Sequence, residues 1–334
     1  MYWGVSQSLA ATPTAGERLR RARNSSGQVK IDAILQSRRP SFSFEFFPPQ
    51  SDEGVARLLK TVEILRPLAP AFVSVTNGAG GSTRARTVEV TRSIKNDLGV
   101  ETMAHLTCVG ADVSGLRTVL DQVAAAGIEN VLALRGDPPK GDASFTTTPG
   151  GLTHGSDLVA LVSRNYDFCV GGACYPEKHV ESADAVTDLY HTRLKVDAGA
   201  KFLITQLFFD NERYFAYVER ARDAGIEIPI IPGIMPITNA DQVARFTSSC
   251  GATIPERLRA ELDARKEEPE AVADLGVAYA TLQCVDLLER GAPAIHFYTL
   301  NKSPATRAVV SALLADRPWE RGAGRQYIDG TVVR

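Results

Sequence analysis

The chain has 334 residues, of which 44% are hydrophobic and 23% charged, so it can bury a sizeable core as one barrel-sized domain or as two smaller ones. Its 37 basic residues are balanced by 39 acidic ones, so we expect neither nucleic acid nor a membrane to be a partner. No uninterrupted apolar run approaches the roughly 20 residues of a membrane span. The start lacks a secretory pattern and the five cysteines form no CxxC pair, so we expect a cytoplasmic protein without a metal site.

The first 40 residues read as an N-terminal arm outside the main domain. Ala, Thr, Ser and Gly dominate them, and short helical patterns occur near 15–23 and 30–37. We expect partial disorder before about residue 15. Residues 41–315 form the predicted catalytic domain, and 316–334 form a predicted C-terminal tail.

Apolar, β-rich runs recur after the arm, mostly about 30 residues apart, which is the size of one βα unit. There are eight of them, at 42–47, 71–76, 101–109, 130–136, 168–176, 202–209, 228–235 and 294–300. Helix-like stretches lie between them, and extra helices are expected in 236–293. Strands that are apolar on both faces and alternate with helices predict an α/β fold, a (β/α)8 TIM barrel with an N-terminal helical arm. An open doubly wound sheet is the less favoured alternative, because no GxGxxG follows the first run.

The first run, FSFEFFPP, places an acid in an apolar strand. Its four phenylalanines at 42–47 predict a buried strand, and Pro48 and Pro49 end it. Glu45 lies among these rings, so burial is expected to raise its pKa and to hold its proton nearer neutral pH. Taken alone, Glu45 could instead be structural and face a neighbouring Arg or Lys.

A barrel brings the carboxyl ends of its strands to one rim, where catalytic groups lie. Almost every predicted strand ends in a hydrogen-bonding residue, and each of these residues alone has an ordinary structural explanation. Together they predict a single polar cup. Its predicted members are Glu45, Thr76, Asn77, His105, Thr107, Arg135, Gly136, Asp137, Tyr175, Glu177, His179, Gln206, Tyr298 and Asn301.

The helix predicted after the fifth strand carries Asp188, His191 and Lys195 at spacing i, i+3 and i+7. Residues at this spacing share one helix face. That face is either a solvated, salt-bridged surface or a wall that contacts a polar, phosphate-bearing cofactor.

Several motifs together resemble the methylenetetrahydrofolate reductases, a family of flavin-dependent (β/α)8 enzymes. The resemblance covers roughly residues 40–315 and keeps the family's motif order and spacing. The motifs are FSFEFFPP, FVSVTNGAGGS, HLTC, NVLALRGDPP, YPEKH, LKVDAGAKFLITQLFFD, IPGIMP and HFYTLN. Any one of them alone would be weak, whereas the set over this length is specific.

The resemblance implies a role for each matching position. Glu45 and Asp137 match catalytic acids. The positions implied to bind FAD are Thr76, Asn77, His105, Arg135, Gly136, Asp137, His154, Gly155, Tyr175, His179, Asp188, His191 and Lys195. The positions implied to bind substrate are Gln206, Gln242, Phe246, Tyr298 and Lys302. The chain departs from the bacterial pattern at Asn77, His154, His191, Leu194 and Lys302.

The implied reaction reduces 5,10-methylenetetrahydrofolate to 5-methyltetrahydrofolate with NADH or NADPH through bound FAD. Glu45 would donate the proton that opens the one-carbon bridge, and Asp137 would stabilise the positive charge that develops. Direct hydride transfer without flavin is one alternative, motivated by His154 and Leu194. A non-catalytic barrel that binds pterin or nucleotide is another. We also expect a homo-oligomer.

Overall fold

A computed structural model describes residues 29–37, 40–78, 81, 83–138, 141, 145–322, 326–328 and 331–333. The predicted helix near 15–23 lies outside the described residues. The second predicted helix of the arm is present as α1, Ile31–Ser37.

The described residues form a barrel of nine parallel strands. The strands are β1 Ser41–Phe46, β2 Phe72–Val75, β3 Thr102–Thr107, β4 Asn130–Leu134, β5 Cys169–Cys174, β6 Phe202–Thr205, β7 Ile230–Ile231, β8 Gly233–Ile234 and β9 Ala294–Tyr298. Each strand from β1 to β6 pairs with the next, and β9 pairs with β1. The predicted (β/α)8 barrel is confirmed.

The seventh predicted run appears as two short strands rather than one. Pro232 separates β7 from β8, because proline has no N–H to continue a ladder. Its carbonyl accepts a hydrogen bond from the backbone N–H of His296 at 3.0 Å. Strand β7 pairs with β6 and β8 pairs with β9, so the two halves together close the ring.

Helices surround the barrel and connect its strands. After α1 they are α2 Asp52–Leu65, α3 Arg84–Leu98, α4 Val113–Ala125, α5 Gly155–Asn165, α6 Ala185–Asp197, α7 Asn211–Asp223, α8 Ala240–Cys250, α9 Glu256–Ala264, α10 Pro269–Glu289, α11 Pro304–Asp316 and α12 Pro318–Gly322. A 3₁₀ turn occupies Arg66–Leu68, and Gln326–Ile328 pairs antiparallel with Thr331–Val333. Helices α8 to α10 fill the interval in which extra helices were predicted.

Helix α4 shows how the sequence sets these elements. The side chain of Asp112 accepts a hydrogen bond from the backbone N–H of Gly115 at 2.7 Å and so caps the first turn. Leu116, Leu120 and Val123 then recur at helical spacing and are buried against the sheet. Helix start and core face therefore both follow from the local sequence.

Helix α1 closes the amino-terminal end of the barrel. Its residues Ile31, Ile34 and Leu35 are buried in a cluster that includes Met103 and Phe202, which lie near the starts of β3 and β6. The described end of the predicted arm is therefore part of the barrel core. The division into 1–40, 41–315 and 316–334 stays a prediction.

Helix α10 is the single helix of the described chain that is long and apolar enough to cross a membrane, judged by length and composition alone. Its inner face is buried, and it includes Gly276, Cys284 and Leu287. A Cβ at Gly276 would lie 1.7 Å from the carbonyl oxygen of Ile237, so this helix can pack here only with glycine at that position. Core helices of soluble proteins pass the same test of length and composition.

Candidate active site

Two adjoining cavities open at the carboxyl ends of the strands. The larger, the central cavity, has a volume of about 680 Å³ and is lined by residues that follow or end most of the strands. The smaller, the lateral cavity, has a volume of about 420 Å³ and lies between β4, β5, α5 and α6. Arg135, Tyr175, His179 and Glu181 line both, so they form the wall between the two.

The structure brings most of the predicted site residues into these cavities. Those in the central cavity are Glu45, Thr76, Asn77, His105, Thr107, Arg135, Gly136, Asp137, Tyr175, His179, Gln206, Phe246 and Tyr298. Those in the lateral cavity are Arg135, His154, Gly155, Tyr175, His179, Asp188, His191 and Lys195. Two predicted substrate residues, Gln242 and Lys302, line neither cavity. Gln242 lies in the first turn of α8 and Lys302 is exposed after β9.

The register of the sheet places Glu45 between two neighbouring strands. It pairs with Ser74 on β2 and with Tyr298 on β9. The Oε2 atom of Glu45 lies 3.3 Å from Nε2 of His105 and 3.2 Å from Nε2 of His296, with which it forms a hydrogen bond. It also accepts a long hydrogen bond, 3.5 Å, from the hydroxyl of Ser74. The carboxyl is therefore buried and surrounded by polar groups.

The expectation of a raised pKa at Glu45 is wrong. Burial raises the pKa of this carboxyl, as expected, but the imidazole of His105 and the hydrogen bonds from His296 and Ser74 outweigh burial. The pKa of Glu45 therefore lies below its ordinary value. The phenylalanines of β1 belong to the core, whereas the carboxyl meets the histidines of β3 and β9.

Neither His296 nor Ser43 was predicted to belong to the site. Nδ1 of the fully buried His296 lies 2.8 Å from the hydroxyl of Ser43, and its Nε2 bonds Glu45. Both residues lie inside their strands rather than at the strand ends, so an inspection of rim residues passes over them. The strand register is the feature that identifies them as neighbours of the site, because it pairs Ser43 with His296 two residues before Glu45.

Burial lowers the pKa of His105 to about 4, although Glu45 acts in the opposite direction. In the unfolded chain the imidazole of His105 has its ordinary pKa of 6.5. Between pH 6.5 and about 4 the unfolded state therefore binds more protons than the native state. Stability should therefore fall as the pH falls through this window. From pH 6.5 to 5 the loss should be about 2 kcal/mol, at about 1.4 kcal/mol per pH unit.

Urea unfolding of the native protein and of His105→Gln at several pH values tests this. The window ends above the usual pKa of carboxyl groups, so Glu45 contributes little to the slope. The variant should lose about 2 kcal/mol less than the native protein between pH 6.5 and 5. If the free energy of unfolding depends on pH equally in the two proteins, His105 does not stay neutral in the folded state.

The predicted face of α6 is a cavity wall and not a solvated surface. Asp188 is buried, and its Oδ1 accepts hydrogen bonds from the backbone N–H of His179 at 3.0 Å and from the Ser182 hydroxyl at 3.1 Å. The ammonium of Lys195 donates to the carbonyl of Ala173 at 2.7 Å. Burial lowers the pKa of Lys195. A partly buried cation in a cavity is suited to an anionic ligand group.

Arg135 and Glu181 form an ion pair in the wall between the two cavities. The two side chains form a two-pronged ion pair, and the guanidinium also lies 4.7 Å from the centre of the Phe145 ring. This pairing raises the pKa of Arg135. Glu181 was not predicted from the sequence. It lies beyond the strand end, in the loop before α6, where many exposed acids are only solvated.

Two histidines at the mouth of the lateral cavity, His154 and His191, stack with ring centres 5.8 Å apart. They come from the N-cap of α5 and from α6. Gly155 opens α5 at the same cavity, and helix N-termini attract anions. Two imidazole rings and a helix N-terminus therefore line the same small cavity.

Buried polar atoms without a hydrogen-bond partner concentrate at these cavities. A buried unpaired polar atom costs free energy, and such atoms in a cavity mark places where a ligand can bond. Among the described residues that line the cavities, these atoms are Thr76 Oγ1, both amide atoms of Asn77, His105 Nε2, Thr107 Oγ1 and Asp188 Oδ2. The residues present thus fit a large polar cofactor such as FAD.

The fold and these cavities define a (β/α)8 barrel with a polar ligand site at the carboxyl rim. The methylenetetrahydrofolate reductase family model matches residues 30–314. The chain therefore belongs to the methylenetetrahydrofolate reductase family.

The chain is similar to two named reductases. It is 37% identical over 313 residues to methylenetetrahydrofolate reductase (NADH) 1 of Arabidopsis thaliana, covering 88% of this chain and 53% of that protein. It is 38% identical over 272 residues to 5,10-methylenetetrahydrofolate reductase of Escherichia coli, covering 81% of this chain and 90% of that protein. The chain thus spans about half the length of the plant relative and matches most of the bacterial one.

One solved structure supports the fold. A Clostridium thermocellum protein described as binding two copies of 5-methyl-5,6,7,8-tetrahydrofolic acid aligns with a TM-score of 0.60 at 16% identity. The alignment covers 86% of this chain and 98% of that one. At this identity the likeness concerns the barrel alone.

Proposed function

We propose that this protein reduces 5,10-methylenetetrahydrofolate to 5-methyltetrahydrofolate with NADH or NADPH through bound FAD, and that Glu45 is the general acid. The observation that carries the proposal is the position of Glu45. It is a buried carboxyl in the central cavity, next to a lateral cavity with cationic walls and unpaired polar atoms. Membership of the reductase family supports the same reaction.

The chain's own residues would hold the cofactor. Lys195, Arg135 and the N-terminus of α5 would bind the diphosphate, and Asp188 Oδ2 and Thr76 Oγ1 would bond polar groups of the rest. Bound FAD supplies a two-electron carrier between the nicotinamide and the folate. The protein then has to orient the two substrates and to move one proton.

Glu45 would donate that proton. Opening the one-carbon bridge breaks a carbon–nitrogen bond, and the leaving nitrogen must take a proton as its bond pair returns to it. The pKa of Glu45 is lowered, so most of the protein carries the carboxylate at neutral pH. Proton uptake from solvent must therefore accompany turnover, and the folate step should become faster as the pH falls towards that pKa.

Asp137 would stabilise positive charge on the folate rather than donate the proton. It follows β4, lines the central cavity and is exposed. A carboxylate at this place stabilises the cation that forms when the bridge opens.

The purified protein itself tests the proposal. It should be yellow, should release FAD on denaturation, and under anaerobic conditions should oxidise more than one NADH or NADPH per flavin only when methylenetetrahydrofolate is present. Colourless protein with full activity and no response to added FAD would favour direct hydride transfer. Folate binding without turnover would favour a non-catalytic barrel.

A further inference from the structure

One phenylalanine of the FSFEFFPP motif, Phe47, lies outside the core. Phe42, Phe44 and Phe46 are at most 1% exposed, whereas Phe47 is 42% exposed and lines the central cavity two residues after Glu45. The expectation that all four rings are buried is therefore wrong at Phe47. An exposed ring adds little to stability, because the hydrophobic gain comes from its removal from water.

The main chain of Phe47 is fixed by one side chain, that of Asn301. Its N–H donates to Asn301 Oδ1 at 2.7 Å, and its carbonyl accepts from Asn301 Nδ2 at 2.8 Å. Two residues earlier, the hydroxyl of Thr299 donates to the carbonyl of Glu45 at 2.6 Å. The turn after β9 therefore fixes the backbone of the acid and of the exposed ring together.

This turn adopts an unfavourable backbone conformation. Leu300 has φ 52° and Asn301 has φ 59°, so two successive residues other than glycine are left-handed. Asparagine tolerates this region, but leucine rarely adopts it. Such conformations persist where the surrounding contacts impose them, and they cluster at functional sites. In this conformation Asn301 makes its two hydrogen bonds to the main chain of Phe47.

We propose that Phe47 contacts the ligand of the central cavity, and that its ring packs against a planar heteroaromatic ring bound beside Glu45. Asn301 is then a positioning residue, because it acts only through Phe47. The inference rests on the proposed function, whose two central-cavity ligands, the pterin of folate and the nicotinamide, both present such a ring. A ring held in place before binding loses little freedom when the ligand arrives.

Calorimetric titration with 5-methyltetrahydrofolate and, separately, with NAD⁺ tests the inference without turnover. Phe47→Ala should weaken binding of at least one of them by about tenfold, the usual effect of losing one stacking ring. The ligand that is weakened identifies which ring Phe47 contacts. Affinity for FAD should not change, and urea stability should not fall, because the ring is already exposed.

Two further variants separate positioning from folding. Asn301→Gly removes the amide but favours the left-handed backbone, so it should weaken the same ligand while the protein stays folded. Leu282→Ala, at a side chain 70% exposed on α10, is the matched control and should change nothing. If Phe47→Ala binds both ligands with native affinity, the inference is wrong and the proposed function is unaffected. If the native protein binds neither ligand, the proposed function and the inference fall together.

Discussion

Glu45→Gln should separate the two halves of the proposed reaction. Glutamine has nearly the volume of glutamate and can still bond His296, so the fold should be kept. Reduction of flavin by nicotinamide needs no proton from this side chain and should continue at a near-native rate. Reduction of methylenetetrahydrofolate should fall by at least about 100-fold, the usual loss when a general acid is removed.

Glu63→Gln is a suitable control for this experiment. Glu63 is exposed on α2, pairs with Lys60 on the same helix and lines neither cavity, so neither half-reaction should change. If Glu45→Gln reduces the folate at a near-native rate, Glu45 is structural. If both half-reactions fail, Glu45 positions the flavin, and another rim residue donates the proton.

Lys195→Met should weaken FAD binding without loss of the fold. Methionine fills the same space, and it removes both the ammonium of the lateral cavity and the cost of burying that charge. A hydrogen bond to a charged group contributes about 1.5–3 kcal/mol, so affinity should fall by about ten- to 100-fold. Thermal stability should remain at least native, because the lost hydrogen bond to Ala173 is offset by the removed desolvation cost.

Fluorescence titration of the flavin-free protein with FAD measures this effect. Lys201→Met is the matched control, because Lys201 is exposed just beyond α6 and lines neither cavity. Equal FAD affinity of Lys195→Met and the native protein would show that the lateral cavity does not hold the diphosphate. A folding defect in Lys195→Met would show that Lys195 is structural.

The strand order and most of the rim could be predicted because each depends on local sequence. Apolar runs at βα spacing specify the barrel, and its topology then brings the strand ends together. The break at Pro232 was visible in the sequence, since IPIIPGIM contains a proline that cannot donate to a ladder. Its consequence, two half-strands that pair with different neighbours, depends on closure of the ring.

The chemistry of Glu45 could not be predicted because it depends on contacts between distant strands. His105 and His296 lie 60 and 251 positions away in sequence and reach Oε2 only once the barrel is closed. The ring of Phe47 is a similar case. Its burial was inferred from strand composition, but β1 ends at Phe46, and a contact with Asn301 then decides where the next residue lies.

Anaerobic stopped-flow spectroscopy of the native, FAD-loaded protein tests whether bound FAD carries electrons from the nicotinamide to the folate. We expect NADH or NADPH to bleach the flavin absorbance, and methylenetetrahydrofolate added afterwards to restore it with one 5-methyltetrahydrofolate formed per flavin. The restoring step should be faster at pH 6 than at pH 8, because the protonated fraction of Glu45 rises as the pH falls. A flavin that stays reduced when the folate is added would contradict the account.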